Sequence, residues 1–136
     1  MSAKKVLNNL QKNIYCRIRC SKIHGVGVVA IRDIPKGINP YLLATKSQKT
    51  VGILDKDIEK LEPEVKAMVH DFFQKEDDDK WYLPVSGLNS IDSSFYMNNN
   101  SSNPNVKVLD ADESFVTFRT LRKIKKGEEL TINYNS

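Results

Sequence analysis

Histidine, cysteine and tryptophan are scarce in this 136-residue chain, which has two, two and one of them. His24 and His70 with Cys16 and Cys20 leave a zinc cluster short of ligands, so no metal centre is expected. The two cysteines alternate with other residues in Tyr15–Cys20, a strand-like pattern with Cys16, Ile18 and Cys20 on one face, and buried free thiols are the expectation. No apolar run approaches the roughly 20 residues that span a bilayer. The opening Met-Ser-Ala-Lys-Lys-Val-Leu lacks the apolar block of a signal peptide, so an intracellular protein, cytoplasmic or nuclear, is expected. With 40% hydrophobic and 28% charged residues, the length suits one folded domain with a real core.

Charge is plentiful but unevenly placed. The net +4 conceals eight Lys/Arg against one acid in residues 1–36, four Lys against ten acids in 55–79, and five Lys/Arg with no acid in 119–126. Basic stretches suit nucleic acid or an acidic partner, and the acidic stretch suits a basic peptide.

Short β-prone runs dominate the chain. Ile14–Cys20, Val26–Ile31, Ile38–Ala44, Trp81–Val85, Val106–Leu109, Ser114–Leu121 and Leu130–Tyr134 read as strands, the two around Asp110–Glu113 as a hairpin. Gly25 and Gly27 turn the chain after the first strand, and Asp33–Gly37 turns it again. Thr45–Gly52 reads as a polar loop. Asp55 is placed to cap a short helix over Lys56–Leu61. Pro63 then suits the first turn of a helix over Glu64–Gln74, where Val65, Met68, Val69, Phe72 and Phe73 form one apolar stripe. Met1–Asn13 is a basic lead-in with the makings of a frayed helix. Lys125–Glu128 echoes the Pro-Lys-Gly turn, but no whole supersecondary unit repeats.

Met97–Asn105, Met-Asn-Asn-Asn-Ser-Ser-Asn-Pro-Asn, is poor material for a helix or central strand, because Asn and Ser compete for backbone hydrogen bonds and Pro104 donates none. Taken with His24-Gly-Val-Gly-Val-Val-Ala30, Asp33-Ile-Pro-Lys-Gly37 and Arg122-Lys-Ile-Lys-Lys-Gly-Glu-Glu-Leu-Thr-Ile-Asn-Tyr134, it completes an ordered set. That set resembles the SET domain family of protein-lysine methyltransferases over about residues 14–136. The resemblance implies a mainly β, β-clip fold of several small sheets, with a short helical insertion and a C-terminal pseudoknot. It implies a basic lead-in over 1–13 and a single domain over 14–136, with a variable insertion at 46–90 that carries helices near 55–75.

The resemblance also implies methyl transfer from S-adenosyl-L-methionine to a lysine side chain of a protein, a histone or other basic protein being the expected kind. Nucleic acid is not the expected substrate. Gly25, Val26 and Gly27 resemble the turn that meets the cofactor's methionine end. Asn99 resembles the asparagine that holds its amino group, and Asn100 occupies the place of the histidine whose backbone meets the adenine. Tyr134 resembles the tyrosine at the transfer site. A lysine channel should be walled by rings, which bind an alkyl-ammonium through burial and cation–π attraction, and Tyr96 and Tyr82 are the candidates beside Tyr134.

Two departures from the family pattern carry expectations of their own. Asn100 replaces the usual histidine. No cysteine-rich segment follows Tyr134, so the insertion, Met1–Asn13 or a second subunit must cover the channel, and a homodimer is expected. Two other readings stay open: a degenerate module that binds peptide or cofactor without turnover, and a nucleic-acid-binding module that uses residues 1–36 and 119–126.

Overall fold

A computed structural model describes residues 2–41, 50–85, 87–112 and 115–135. In chain order its elements are α1 (Ala3–Lys12), β1 (Cys16–Cys20), β2 (Val26–Ala30), β3 (Thr50–Leu54), α2 (Asp55–Ile58), α3 (Pro63–Phe72), β4 (Lys80–Pro84), β5 (Asn98–Asn99), β6 (Val106–Asp112), β7 (Phe115–Thr120) and β8 (Glu129–Ile132), with 3₁₀ turns at Leu88–Ser90 and Ser93–Tyr96. The chain divides into two compact units, Met1–Lys46 with Asp92–Ser136, and Ser47–Ile91. The fold is mainly β, as expected.

In the first unit, β2 is the apolar centre of a four-stranded sheet ordered β1-β2-β8-β5. Its alternation buries Val28 and Ala30. β1 pairs with it antiparallel on one side, and β8 on the other, with Val28 opposite Leu130. β5 then joins β8 in parallel, Asn98 opposite Thr131. The C-terminal strand thus lies between strands from early and middle parts of the chain, the crossing that the resemblance implies. Beneath lies a core of Val28, Ala30, Ile34, Tyr41, Met97, Val106, Phe118, Ile124 and Leu130.

A repeat runs through this unit, contrary to the expectation of none. Adding 90 to the residue numbers of the β1–β2 hairpin gives the β6–β7 hairpin: Cys16 faces Ala30 as Val106 faces Thr120. The turns that follow embrace each other about a local two-fold. Ile34 N–H donates to the Ile124 carbonyl at 2.7 Å and Ile124 N–H returns the bond at 2.9 Å. Gly37 N–H reaches the Thr120 carbonyl and Gly127 N–H the Ala30 carbonyl, both at 2.9 Å. Gly37 and Gly127 take φ values of 83° and 93°, left-handed backbone that glycine adopts without strain. Arg32 donates to the Gln11 carbonyl and Arg122 to that of Pro104, so each arginine ties down the segment leading into its own hairpin.

The second unit pairs β3 with β4 antiparallel around a small core of Ile58, Val69, Trp81 and Leu83. Pro63 opens α3, and the Glu62 side chain accepts from the N–H groups of Glu64 and Val65.

Several expectations need correction. Ile38–Tyr41 forms turns rather than a strand, since Pro40 donates no ladder hydrogen bond, and residues 42–44 lie outside the described residues. Of the polar loop expected over 45–52, residues 50–52 are strand, held by pairing with β4, and 45–49 lie outside the described residues. Asp55 does not cap its helix, because its carboxylate accepts the Trp81 indole N–H at 2.9 Å. Only Val69 of the α3 stripe is fully buried, and Val65 and Met68 stay exposed. Cys16 is half-buried but Cys20 is exposed, near the end of an edge strand. The hairpin strands are β6 and β7, and residues 113 and 114 between them lie outside the described residues, as does residue 86. The final strand ends at Ile132, so Tyr134 sits in a turn beyond it.

Candidate functional site

The site grows from the turn between β1 and β2. Ser21 Oγ accepts from the N–H groups of Ile23 and His24, at 2.9 and 3.1 Å, and Ser21 N–H donates to the Gly25 carbonyl at 2.8 Å. Gly25 takes φ +51°, which suits the reversal. The turn leaves Gly25 and Val26 exposed and Gly27 buried at the start of the sheet.

Asn98, one residue before the asparagine singled out in the sequence, fastens this turn. Its Nδ2 lies 3.1 Å from both the His24 and Val26 carbonyls, 3.0 Å from Ser21 Oγ and 2.8 Å from Glu129 Oε2. Two N–H bonds serve four acceptors, so the protons are shared. Glu129 Oε1 accepts from the Ser21 hydroxyl at 2.7 Å, closing a ring of three side chains from β5, β8 and the turn. Gly27 lies under that ring. A Cβ there would stand 2.4 Å from Glu129 Oε2 and 2.8 Å from Glu129 Cδ. A side chain at 27 would therefore have to push the Glu129 carboxylate away from its bonds to Ser21 and Asn98, a second reason for glycine beside close approach to a ligand.

The asparagine stretch wraps the end of β8. Buried Asn105, 3% exposed, imitates a neighbouring strand: its Oδ1 accepts from Thr131 N–H and its Nδ2 donates to the Glu129 carbonyl, both at 2.8 Å. Asn100 N–H donates to the Ile132 carbonyl at 2.8 Å, and its Oδ1 accepts from Asn103 N–H at 3.0 Å. The Asn100 side chain thus caps its own loop. Asn99 Oδ1 accepts from the Tyr134 backbone N–H at 2.8 Å.

Tyr134 is half-exposed, at 49%, and its hydroxyl donates to the Met97 carbonyl at 2.7 Å. That bond engages the hydroxyl's one proton, so what the oxygen offers outward is lone pairs. Partial burial pushes the hydroxyl above its ordinary value, which keeps it neutral at physiological pH. Gly25–Gly27, Asn99, Asn100 and Tyr134 are thereby linked through Asn98 and β8 within the first unit.

The other two candidates are placed differently. Tyr96, in the 3₁₀ turn just before Met97, is half-buried against the core. Tyr82 belongs to β4 in the second unit, where its hydroxyl donates to the Asp78 carboxylate. Ser21, Asn98 and Glu129 were not singled out by the sequence as site residues. The available signal was indirect: a paired acid in Gly-Glu-Glu on an otherwise apolar strand needs a partner when it turns inward.

S-adenosyl-L-methionine, which the family implies, fits the donor set. Asn99 Oδ1 keeps a second lone pair for an ammonium group, and its Nδ2 can meet a carboxylate. The exposed turn at Gly25 has no heavy atom within 4 Å of where a Cβ would stand, so ligand atoms have room there.

A family model described as SET domain matches residues 25–135. No curated protein sequence matches the chain. Many solved structures share the fold, and two of them illustrate it. One is a Plasmodium falciparum protein assigned as a histone methyltransferase, with a TM-score of 0.57 and 19% identity over 88% of this chain and 92% of that one. The other is the methyltransferase domain of human PR domain-containing protein 2, with a TM-score of 0.59 and 16% identity over 90% and 78%.

Proposed function

The chain belongs to the SET domain family, and from that premise we propose that it transfers a methyl group from S-adenosyl-L-methionine to the ε-nitrogen of a lysine in a protein substrate. The observation that carries this reading is the Tyr134 hydroxyl, anchored on the Met97 carbonyl and tied through Asn99 to the same β5 segment that fastens the Gly25–Gly27 turn.

The cofactor supplies an electrophilic methyl on a cationic sulfur. Direct displacement needs nucleophile, carbon and leaving atom in line, so the protein's contribution is mostly orientation. Tyr134 presents lone pairs to an amine N–H and so aims the lysine nitrogen. Asn99 holds the cofactor's amino-acid end from the next strand, and the turn at Gly25 lets backbone and cofactor approach closely. No strong general base is required, because a cationic sulfur and an apolar channel both favour the neutral amine. Ten acids against four lysines over residues 55–79 favour a basic substrate, such as a histone tail.

The test is incubation with labelled S-adenosyl-L-methionine and a lysate, followed by mass spectrometry of methylated lysines. Tyr134→Phe is expected to lower turnover by about 10²-fold while the circular dichroism spectrum stays unchanged, because the ring remains and the aiming oxygen is lost. Full activity in that variant would remove Tyr134 from the site. Cofactor binding by calorimetry with no transfer to any basic protein would favour a binding module over an enzyme.

A further inference from the structure

Arg17 and Arg19 project from one face of β1, the edge strand of the main sheet. With Lys126, from the turn that precedes β8, they line an open groove of about 400 Å³ floored by Val29, Ala30, Ile31 and Gly127. The groove draws its cations from both acid-poor stretches of the sequence, residues 1–36 and 119–126, which the fold brings together. Among the described residues, no ion pair or hydrogen bond engages the Arg17, Arg19 or Lys126 side chains. The carboxylate beside this turn, Asp33, is already occupied: it accepts the Lys126 backbone N–H at 2.9 Å and lies 3.6 Å from Lys123 Nζ.

We propose that this groove is a docking surface for the phosphate backbone of duplex nucleic acid, on the sheet face that also carries Glu129 and beside the turn at Gly27. Guanidinium forks match phosphate oxygens two at a time, and two of the three cations are arginines. Arg17 and Arg19 stand two residues apart on the strand, so both side chains leave it on the same face. No aromatic side chain lines the groove, so it offers no stacking platform for splayed bases; the contact is to backbone and carries no sequence preference. Small residues in the floor, Ala30 and Gly127, allow a sugar-phosphate strand to sit close to the sheet.

The experiment is fluorescence anisotropy of a short labelled DNA duplex with the full chain, titrated over salt. Three phosphate contacts predict a slope of log affinity against log salt of about −2.7. Arg17→Gln, Arg19→Gln and Lys126→Gln together should abolish most of that slope, each lost contact weakening binding about eightfold at ~0.1 M salt. A control that removes the same charge from α1, Lys4→Gln with Lys5→Gln and Lys12→Gln, should leave the slope in place. Arg17→Gln and Arg19→Gln are also read singly, each expected to lower the slope by about 0.9, so that a misfolded triple variant does not decide the matter. Equal weakening by the groove and control triples would mean binding by net charge alone and would overturn the proposal. Tighter binding of polyglutamate of matched charge than of the duplex, weakened by the same three substitutions, would overturn it in favour of an acidic protein partner.

Discussion

At the scale of single residues, the candidate site turns on one contact between a glycine and a carboxylate. A methyl group at Gly27 would displace the Glu129 carboxylate that lies against it. Gly27→Ala should destabilise the protein by about 1–3 kcal/mol through overpacking and should raise the KM for cofactor by displacing the turn. Adding Glu129→Ala removes the obstructing atoms, so the double variant should be less destabilised than the sum of the singles, and urea denaturation of the four proteins measures that coupling. Strict additivity would mean that the turn yields some other way. The sequence singles out Gly25, Gly27, Asn99 and Tyr134 because they match motif positions, and the fold links them within one unit. The ring of Ser21, Asn98 and Glu129 was not legible, because serine and asparagine are ordinary loop residues until their partners, Glu129 foremost, are known to face them. Asn100 shows the reverse: its departure from the family pattern looked consequential, yet its side chain is engaged within its own loop.

At the scale of elements, the paired turns carrying Ile34 and Ile124 are the joint between the two hairpins. Both isoleucines are fully buried and exchange backbone hydrogen bonds. Ile34→Ala and Ile124→Ala should each cost about 2–5 kcal/mol. Because the two side chains share one packed site, their effects should depart from additivity by about 0.5–3 kcal/mol in thermal or urea unfolding. The repeat escaped the sequence because its bonds join backbone groups, which leave no residue signature. Between Ala30–Gly37 and Thr120–Gly127 only four positions recur: Arg32 with Arg122, Ile34 with Ile124, Lys36 with Lys126 and Gly37 with Gly127. Most strands were legible from β-branched runs, but β3 was not: Thr50–Gly52 becomes strand through its pairing with β4, a long-range partner. Asn105 is a related case, since its amide groups complete the edge of β8 and no local pattern announces that.

At the scale of the whole molecule, pH acts through the core of the first unit. Burial pushes the Tyr41 hydroxyl far above its ordinary value of 10.0, with the neighbouring Cys16 adding to the shift. A group whose folded value is raised stabilises the native state below its unfolded value, and that contribution is lost as pH rises beyond it. Stability should therefore hold up to about pH 10 and then fall by up to about 1.4 kcal/mol per pH unit for this one proton. Tyr41→Phe keeps the ring against Phe118 and should flatten the decline, as thermal midpoints between neutral and strongly alkaline buffer would record. An unchanged alkaline slope in that variant would exclude Tyr41 as its source.

The position of β8 between β2 and β5 has a consequence for synthesis. Of the described strands it is the last to be made, yet it fills the middle of the sheet and carries Glu129. A nascent chain halted before residue 129 therefore leaves β2 and β5 each with an open edge, a template for pairing with other chains. It also lacks the carboxylate that closes the ring over the turn. On the ribosome, then, the fastening of the Gly25–Gly27 turn and the protection against misassociation arrive together, with the same four residues.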